Sequence, residues 1–189
     1  MASKKAPPTP TPVDIATLHD AHPRISAQDW RSPLVRRLSG KDKYADGSST
    51  ISESFRDQAL QKVDGLLSLR WKGLQKDFEQ RIKTYQDPVI TEHAALALAC
   101  VLLTRHTSLR IYEVCRRGEA VDYWIGDVAK GKRFVLEVGG QQGGSLEALS
   151  TEKTQQLTRN PWGRAGFICV AVFDDASARL WFCTHEITS

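Results

Sequence analysis

Between Leu109 and Val138 the chain reads "LRIYEVCRR", "VDYWIG" and "RFVLEV", three short segments separated only by Gly-Glu-Ala and by Asp-Val-Ala-Lys-Gly-Lys. Runs this short, rich in β-branched and aromatic residues and bounded by glycine and charge, predict strands joined by tight connections. A helix is predicted ahead of them, from Thr91 to about Arg105, with Thr91 as its cap and Glu92 near its positive end. A second helix, about Leu146 to Arg159, follows the glycines of "GGQQGG" and stops at Asn160-Pro161, and "AGFICVAVFDD" and "ARLWFCTHEI" supply two more strands. Helix, three strands, helix and two strands predict an α/β sandwich around a mixed sheet over residues 89–189.

The first half of the chain reads differently. Residues 1–49 begin as a proline-rich tail and continue as an irregular linker, in which "DIATLHDAH" suits a short helix and "RRLSGKDKYADGSS" a mobile loop. Residues 50–88 predict one long amphipathic helix. Thr50 and Glu53 fit a capping box, apolar side chains recur at Ile51, Phe55, Ala59, Val63, Leu67 and Trp71 and on to Tyr85, and Asp87-Pro88 ends the pattern. That stripe serves either to pack on the rest of the chain or as a surface for a homodimer or a protein partner.

Composition excludes several classes. With 41% hydrophobic and 25% charged residues the chain is neither disordered throughout nor fibrous. The apolar run from Ala94 to Leu103 is shorter than the roughly 20 residues a bilayer needs, so a buried helix and no membrane partner are expected. "MASKKAPPTPTP" lacks the apolar stretch of a secretory signal, and a cytoplasmic location is the default expectation. Cys100, Cys115, Cys169 and Cys183 show no CxxC spacing and suit reduced thiols better than disulfides or zinc. His19 and His22 form an HxxH pair with no third ligand nearby. The net charge of +4 is confined to the first half: residues 1–88 hold 15 Lys and Arg against 11 Asp and Glu, and residues 89–189 hold 11 of each. Such an excess suits either phosphate contacts or a solvated face.

Two carboxylates carry the chemistry. If the second hairpin folds symmetrically about Ala129-Lys130, Asp122 and Glu137 stand opposite one another, with Cβ atoms about 5 Å apart. Two acids at that distance repel unless a positive group lies between them, and a hard divalent cation with oxygen ligands meets that need. Taken singly, Asp122 also suits a solvated strand end, and Glu137 a pairing with Arg116, Arg117 or Arg133. Trp124 shares a face with Asp122, where it either packs in the core or stacks on a base. "GGQQGG" lacks the Gly-Lys-Ser/Thr ending of a phosphate loop.

The helix beginning Thr91-Glu92, the "VDYWIG" and "LEVGG" strands, the "EKTQQL" helix and the "FICVAVF" strand resemble, in order and spacing, the PD-(D/E)XK nuclease superfamily. The resemblance covers about Thr91 to Ile187. It implies an αβββαβ-type, restriction-endonuclease-like mixed sheet with an N-terminal helical extension, and a Mg²⁺ or Mn²⁺ site held by Asp122, Glu137 and Glu92. The family's lysine position is occupied by Gly139. Lys153, in "EKTQQL", is the lysine that the resemblance offers in its place, with Gln156 one turn on to position it or the substrate. The implied activity is metal-dependent hydrolysis of nucleic-acid phosphodiester bonds, catalysed by Asp122, Glu137, Lys153 and Gln156. The alternative is a catalytically inactive nuclease fold that binds protein or nucleic acid.

Overall fold

The structure, a computed structural model, describes residues 11–115, 121–127, 133–160 and 163–185. Residues 1–10 of the proline-rich tail predicted over residues 1–12, and the hairpin centre at Ala129-Lys130, lie outside the described residues. Eight strands form one mixed sheet: β1 (Val13–Asp14), β2 (Gly47–Arg56), β3 (Lys62–Trp71), β4 (Arg110–Val114), β5 (Tyr123–Gly126), β6 (Arg133–Gln141), β7 (Gly166–Val172) and β8 (Ser177–Cys183). Their order is β1-β3-β2-β8-β7-β6-β5-β4. The pairs β1–β3, β2–β8 and β6–β7 are parallel, and the other neighbours are antiparallel. The helices are α1 (Leu18–Ala21), α2 (Arg31–Ser39), α3 (Gln75–Thr84), α4 (Asp87–His106) and α5 (Leu146–Thr158).

β7, with the sequence "GFICVAV", is buried at every position. Its alternate side chains feed two cores. Phe167, Cys169 and Ala171 join the α4 side, whereas Ile168 and Val170 pack with Leu149 and Leu157 of α5. The sheet is therefore covered by α4 on one face and by α5 on the other, and this burial is the main favourable term holding the layers together. Among the described residues α4 alone is long and apolar enough to cross a membrane, but 67% of its apolar window is buried inside the fold.

The long helix expected over residues 50–86 is not formed. Residues 47–71 make the β2–β3 hairpin, and only Gln75–Thr84 is helical. A spacing of four satisfies both helical and strand periods, because i, i+4 and i+8 also share one face of a strand. What decides is the interleaved sets: Ile51, Glu53 and Phe55 on β2 and Leu67, Leu69 and Trp71 on β3 are all buried. Asp57 closes the turn, its Oδ1 accepting the Ala59 and Gln61 N–H groups at 2.8 and 2.9 Å. The helical partner surface proposed for this segment goes with it.

Asp87-Pro88 starts a helix instead of ending one, since proline's missing N–H costs nothing in a first turn. Thr91 accordingly lies inside α4, where its hydroxyl donates to Asp87 O and accepts from Arg37. The linker of residues 13–49 is also more ordered than its composition predicts. Its helix α2 packs on α4 and α3, and the buried ring of His22 accepts the Ile111 N–H at Nδ1 and donates from Nε2 to Cys100 O and Thr104 Oγ1, each at 3.1 Å.

Candidate active site

β5 and β6 pair with Tyr123 opposite Leu136, Trp124 opposite Val135 and Ile125 opposite Phe134. Continued by one step, this register sets Asp122 opposite Glu137, the relation the sequence predicts. Asp122 is anchored by its Oδ2, which accepts the Val138 N–H at 2.8 Å. Glu137 alternates away from Leu136 and Val138 toward the α5 side, and its side chain is 3% exposed. Its partner is Lys153, whose Nζ lies 3.3 Å from Glu137 Oε2. Arg116 and Arg117, and the side chain of Arg133, lie outside the described residues.

This pair is electrostatically tense. Burial, then the neighbouring Asp122 charge, push the Glu137 carboxyl up to about 7, and Lys153 only partly opposes them. A carboxylate so placed gains from any added positive charge.

The two glycines after Glu137 have separate causes. A Cβ at Gly139 would stand 3.1 Å from Lys153 Cε, 3.2 Å from Lys153 Cγ and 3.2 Å from Leu149 Cδ1. The lysine chain runs across this position to reach Glu137, so a side chain there would press on Lys153 and Leu149, which would have to give way by a few tenths of an ångström. A Cβ at Gly140 would instead stand 2.8 Å from both Ala95 Cβ and Thr91 O of α4. One glycine admits the lysine of α5, and the other admits the backbone of α4.

Asp122 and Lys153 line a cleft of about 330 Å³, walled also by Glu92, Tyr123, Gln141 and Glu152 among others, whereas the buried Glu137 is not on its wall and meets it through Lys153. Glu92 is exposed and lines the α4 wall of the cleft. Gln156 does not line the cleft; it is exposed and donates to Glu152 Oε1 at 3.3 Å. Trp124 packs against the α5-side core.

Three wall residues were not singled out from the sequence. Gln141 follows Glu137 by four and so shares its strand face, a signal that was present. Tyr123 reaches the cleft from the α4 side, where its ring meets the edge of Trp30 at 6.3 Å. Burial first, then Asp122 and Glu92, hold its hydroxyl protonated as a hydrogen-bond donor. Glu152 comes in with the turn of α5 that carries Lys153, which only the packing angle of that helix reveals.

Among the described residues no three His, Cys, Asp or Glu side chains form a metal-binding group. Mg²⁺, however, commonly takes only one or two protein carboxylates and keeps several waters. Asp122 and Glu137 match that donor set, and the upward shift at Glu137 marks where the charge is wanted. Among the described residues no cysteine is in a disulfide; Cys100 and Cys169 are buried and Cys115 and Cys183 half-buried. The chain matches no protein-family model, no curated protein and no solved structure, so the reading of this cleft rests on its own geometry.

Proposed function

We propose that the chain is a divalent-metal-dependent hydrolase of nucleic-acid phosphodiester bonds, on a core of the restriction-endonuclease type and in a cytoplasmic setting. The observation that carries this reading is the meeting of Asp122, Glu137 and Lys153 beside Gly139, two carboxylates and one cation, with Asp122 and Lys153 on the wall of one cleft and Glu137 buried next to them. The run from α4 through β4, β5, β6 and α5 to β7 supports it, being the αβββαβ order the resemblance requires.

Asp122 and Glu137 would hold Mg²⁺ or Mn²⁺, which when bound supplies Lewis-acid charge to a phosphoryl oxygen and makes a water more acidic. Lys153 sets a fixed positive charge beside the site of attack, where charge on the phosphoryl oxygens grows in the transition state. Tyr123 offers a neutral donor to the same group. Leu149 and Leu96 also line the cleft.

The test has two arms. Mg²⁺ or Mn²⁺ is expected to raise the melting temperature of the wild type, since a ligand bound only by the folded state stabilises it, and Glu137→Gln is expected to abolish that rise. In the second arm the protein is incubated with plasmid, single-stranded DNA and RNA, with and without the cation. Equal thermal responses in wild type and Glu137→Gln, with no substrate cut, would sink the reading and favour a non-catalytic binding module.

A further inference from the structure

The geometry points to a second phosphate-binding surface on the other flank of α5: the groove between α5 and the β2–β3 hairpin binds the backbone of a DNA duplex whose opposite strand enters the carboxylate–lysine cleft. The inference rests on the nuclease reading above and adds the form of the substrate.

The groove holds about 460 Å³ and is lined by Arg56, Lys62 and Arg179 together with Ser54, Thr151 and Thr154. Glu147 is the one acid on its wall, whereas the cleft across α5 is rich in acids. The cations are arranged at a cost. Arg56 and Lys62 are direct cross-strand partners, both exposed, and like charges directly opposite destabilise a hairpin. Arg179 stands beside them, since β8 pairs with β2 through Ser54 and Arg179. The hairpin therefore carries a concentration of positive charge that its own folding does not need.

The acids nearby do not cancel it. Lys62 meets Asp64 at 2.8 Å and Arg179 meets Glu147 at 2.5 Å, but Asp64 and Glu147 are 58% and 74% exposed. The exposed Lys62–Asp64 pair adds little to stability, so a phosphate competes for Lys62 at little cost, whereas Arg179 is held by Glu147 through both guanidinium nitrogens and serves as a wall of the groove. Among the described residues Arg56 has no ion-pair partner.

The occupant follows from shape. A helix with its side chains is about 10–12 Å across, and a B-DNA major groove is about 12 Å wide. With the cleft on one flank of α5 and the cationic groove on the other, a duplex straddling the helix sets one backbone in each. The ridge between them presents the exposed Thr151, Glu152, Gln155 and Gln156, and amide side chains of this kind hydrogen-bond to base edges. The major groove of duplex RNA is too deep and narrow to admit a helix. A single strand would require stacking platforms, and the aromatic side chain lining this groove, Trp181, is 6% exposed.

The test measures binding of a labelled DNA duplex to the full chain by fluorescence anisotropy across a salt series, with Ca²⁺ in place of Mg²⁺. Arg56→Ala/Lys62→Ala is expected to weaken binding by about 10-fold or more and to reduce the slope of log K against log salt by about 2, one for each phosphate that the variant no longer neutralises. Its melting temperature should be no lower than that of the wild type, because both side chains are exposed and their mutual repulsion is removed. Unchanged affinity and slope overturn the groove, as does a loss of affinity without a change in slope. Wild type that cuts RNA or single strands but does not bind the duplex overturns the groove and leaves the nuclease reading standing. Wild type that neither binds nor cuts any nucleic acid overturns both.

Discussion

Lys153 and Gly139 act as one device. Because a side chain at position 139 would press on the lysine at 3.1 and 3.2 Å, a cation reaching Glu137 from the strand would crowd the one that reaches it from the helix. Lys153→Met is expected to lower the cleavage rate by about 10²-fold or more. Its folding cost stays small, because Glu137 can take up a proton instead of standing as an unpaired buried charge. Gly139→Lys combined with Lys153→Met returns a lysine to the same carboxylate from the strand and is expected to recover at least about 10-fold of the lost rate. Single-turnover cleavage of the three proteins checks this, and a double variant no faster than Lys153→Met rules out interchange of the two positions.

Protons act on the same side chains. Burial lowers the His22 pKa to about 4. Its contribution to stability is thus complete above the unfolded value near 6.5 and is lost as pH falls from there to about 4, a loss of roughly 3 kcal/mol. Glu137 works in the opposite sense. Its raised pKa makes the folded state the stronger proton binder between about 4.5 and 7, so its contribution weakens as pH rises through that window. Urea midpoints of the metal-free wild type should therefore change little between pH 7 and 5, and those of Glu137→Gln should fall. Parallel pH curves would show that the two groups do not oppose each other.

At the scale of elements, Glu53 distinguishes hairpin from helix. In the fold it is 5% exposed and accepts from Arg105 Nε at 2.9 Å and bonds His106 Nε2 at 3.0 Å, both on the last turn of α4. Burial alone would raise its pKa, but the contacts with His106 and Arg105 outweigh that and lower it. Glu53→Gln is expected to cost about 2 kcal/mol, whereas at an exposed helix N-terminus the change would be within about 0.5 kcal/mol. Chemical denaturation distinguishes these values. The strands from β4 to β8 were legible because each is short, rich in β-branched and aromatic residues, and bounded by turn residues. The hairpin was not legible, because Ile51, Phe55, Val63 and Leu67 satisfy two periods at once and Thr50-x-x-Glu53 imitates a helix cap.

At the scale of the whole molecule, the N-terminal half is part of the sheet. β2 pairs in parallel with β8, joining residues 52–56 to 177–181, and α2 packs along α4. A chain beginning at residue 87 would leave the β8 edge unpaired and part of the apolar α4 uncovered. Open edges and large exposed apolar faces drive association, so this fragment is expected to aggregate or lose its near-UV circular dichroism. A monomeric, cooperatively folding fragment on size exclusion and thermal melting would show that residues 89–189 fold without the first half.

The sequence alone determined the strand and helix succession after residue 86 and the opposition of Asp122 and Glu137, whereas a lysine from α5 beside Gly139 was expected only from the family resemblance. The first two depend on local period or on counting residues across one hairpin, and both are properties of neighbours along the chain. The tertiary structure decided the rest. Which neighbour β8 pairs with, how deeply His22 is buried, and that Tyr123 and Glu152 share a cleft depend on how two layers of helix settle on the sheet. That settling is governed by burial of apolar area, a term without direction along the chain, so it left no spacing to read.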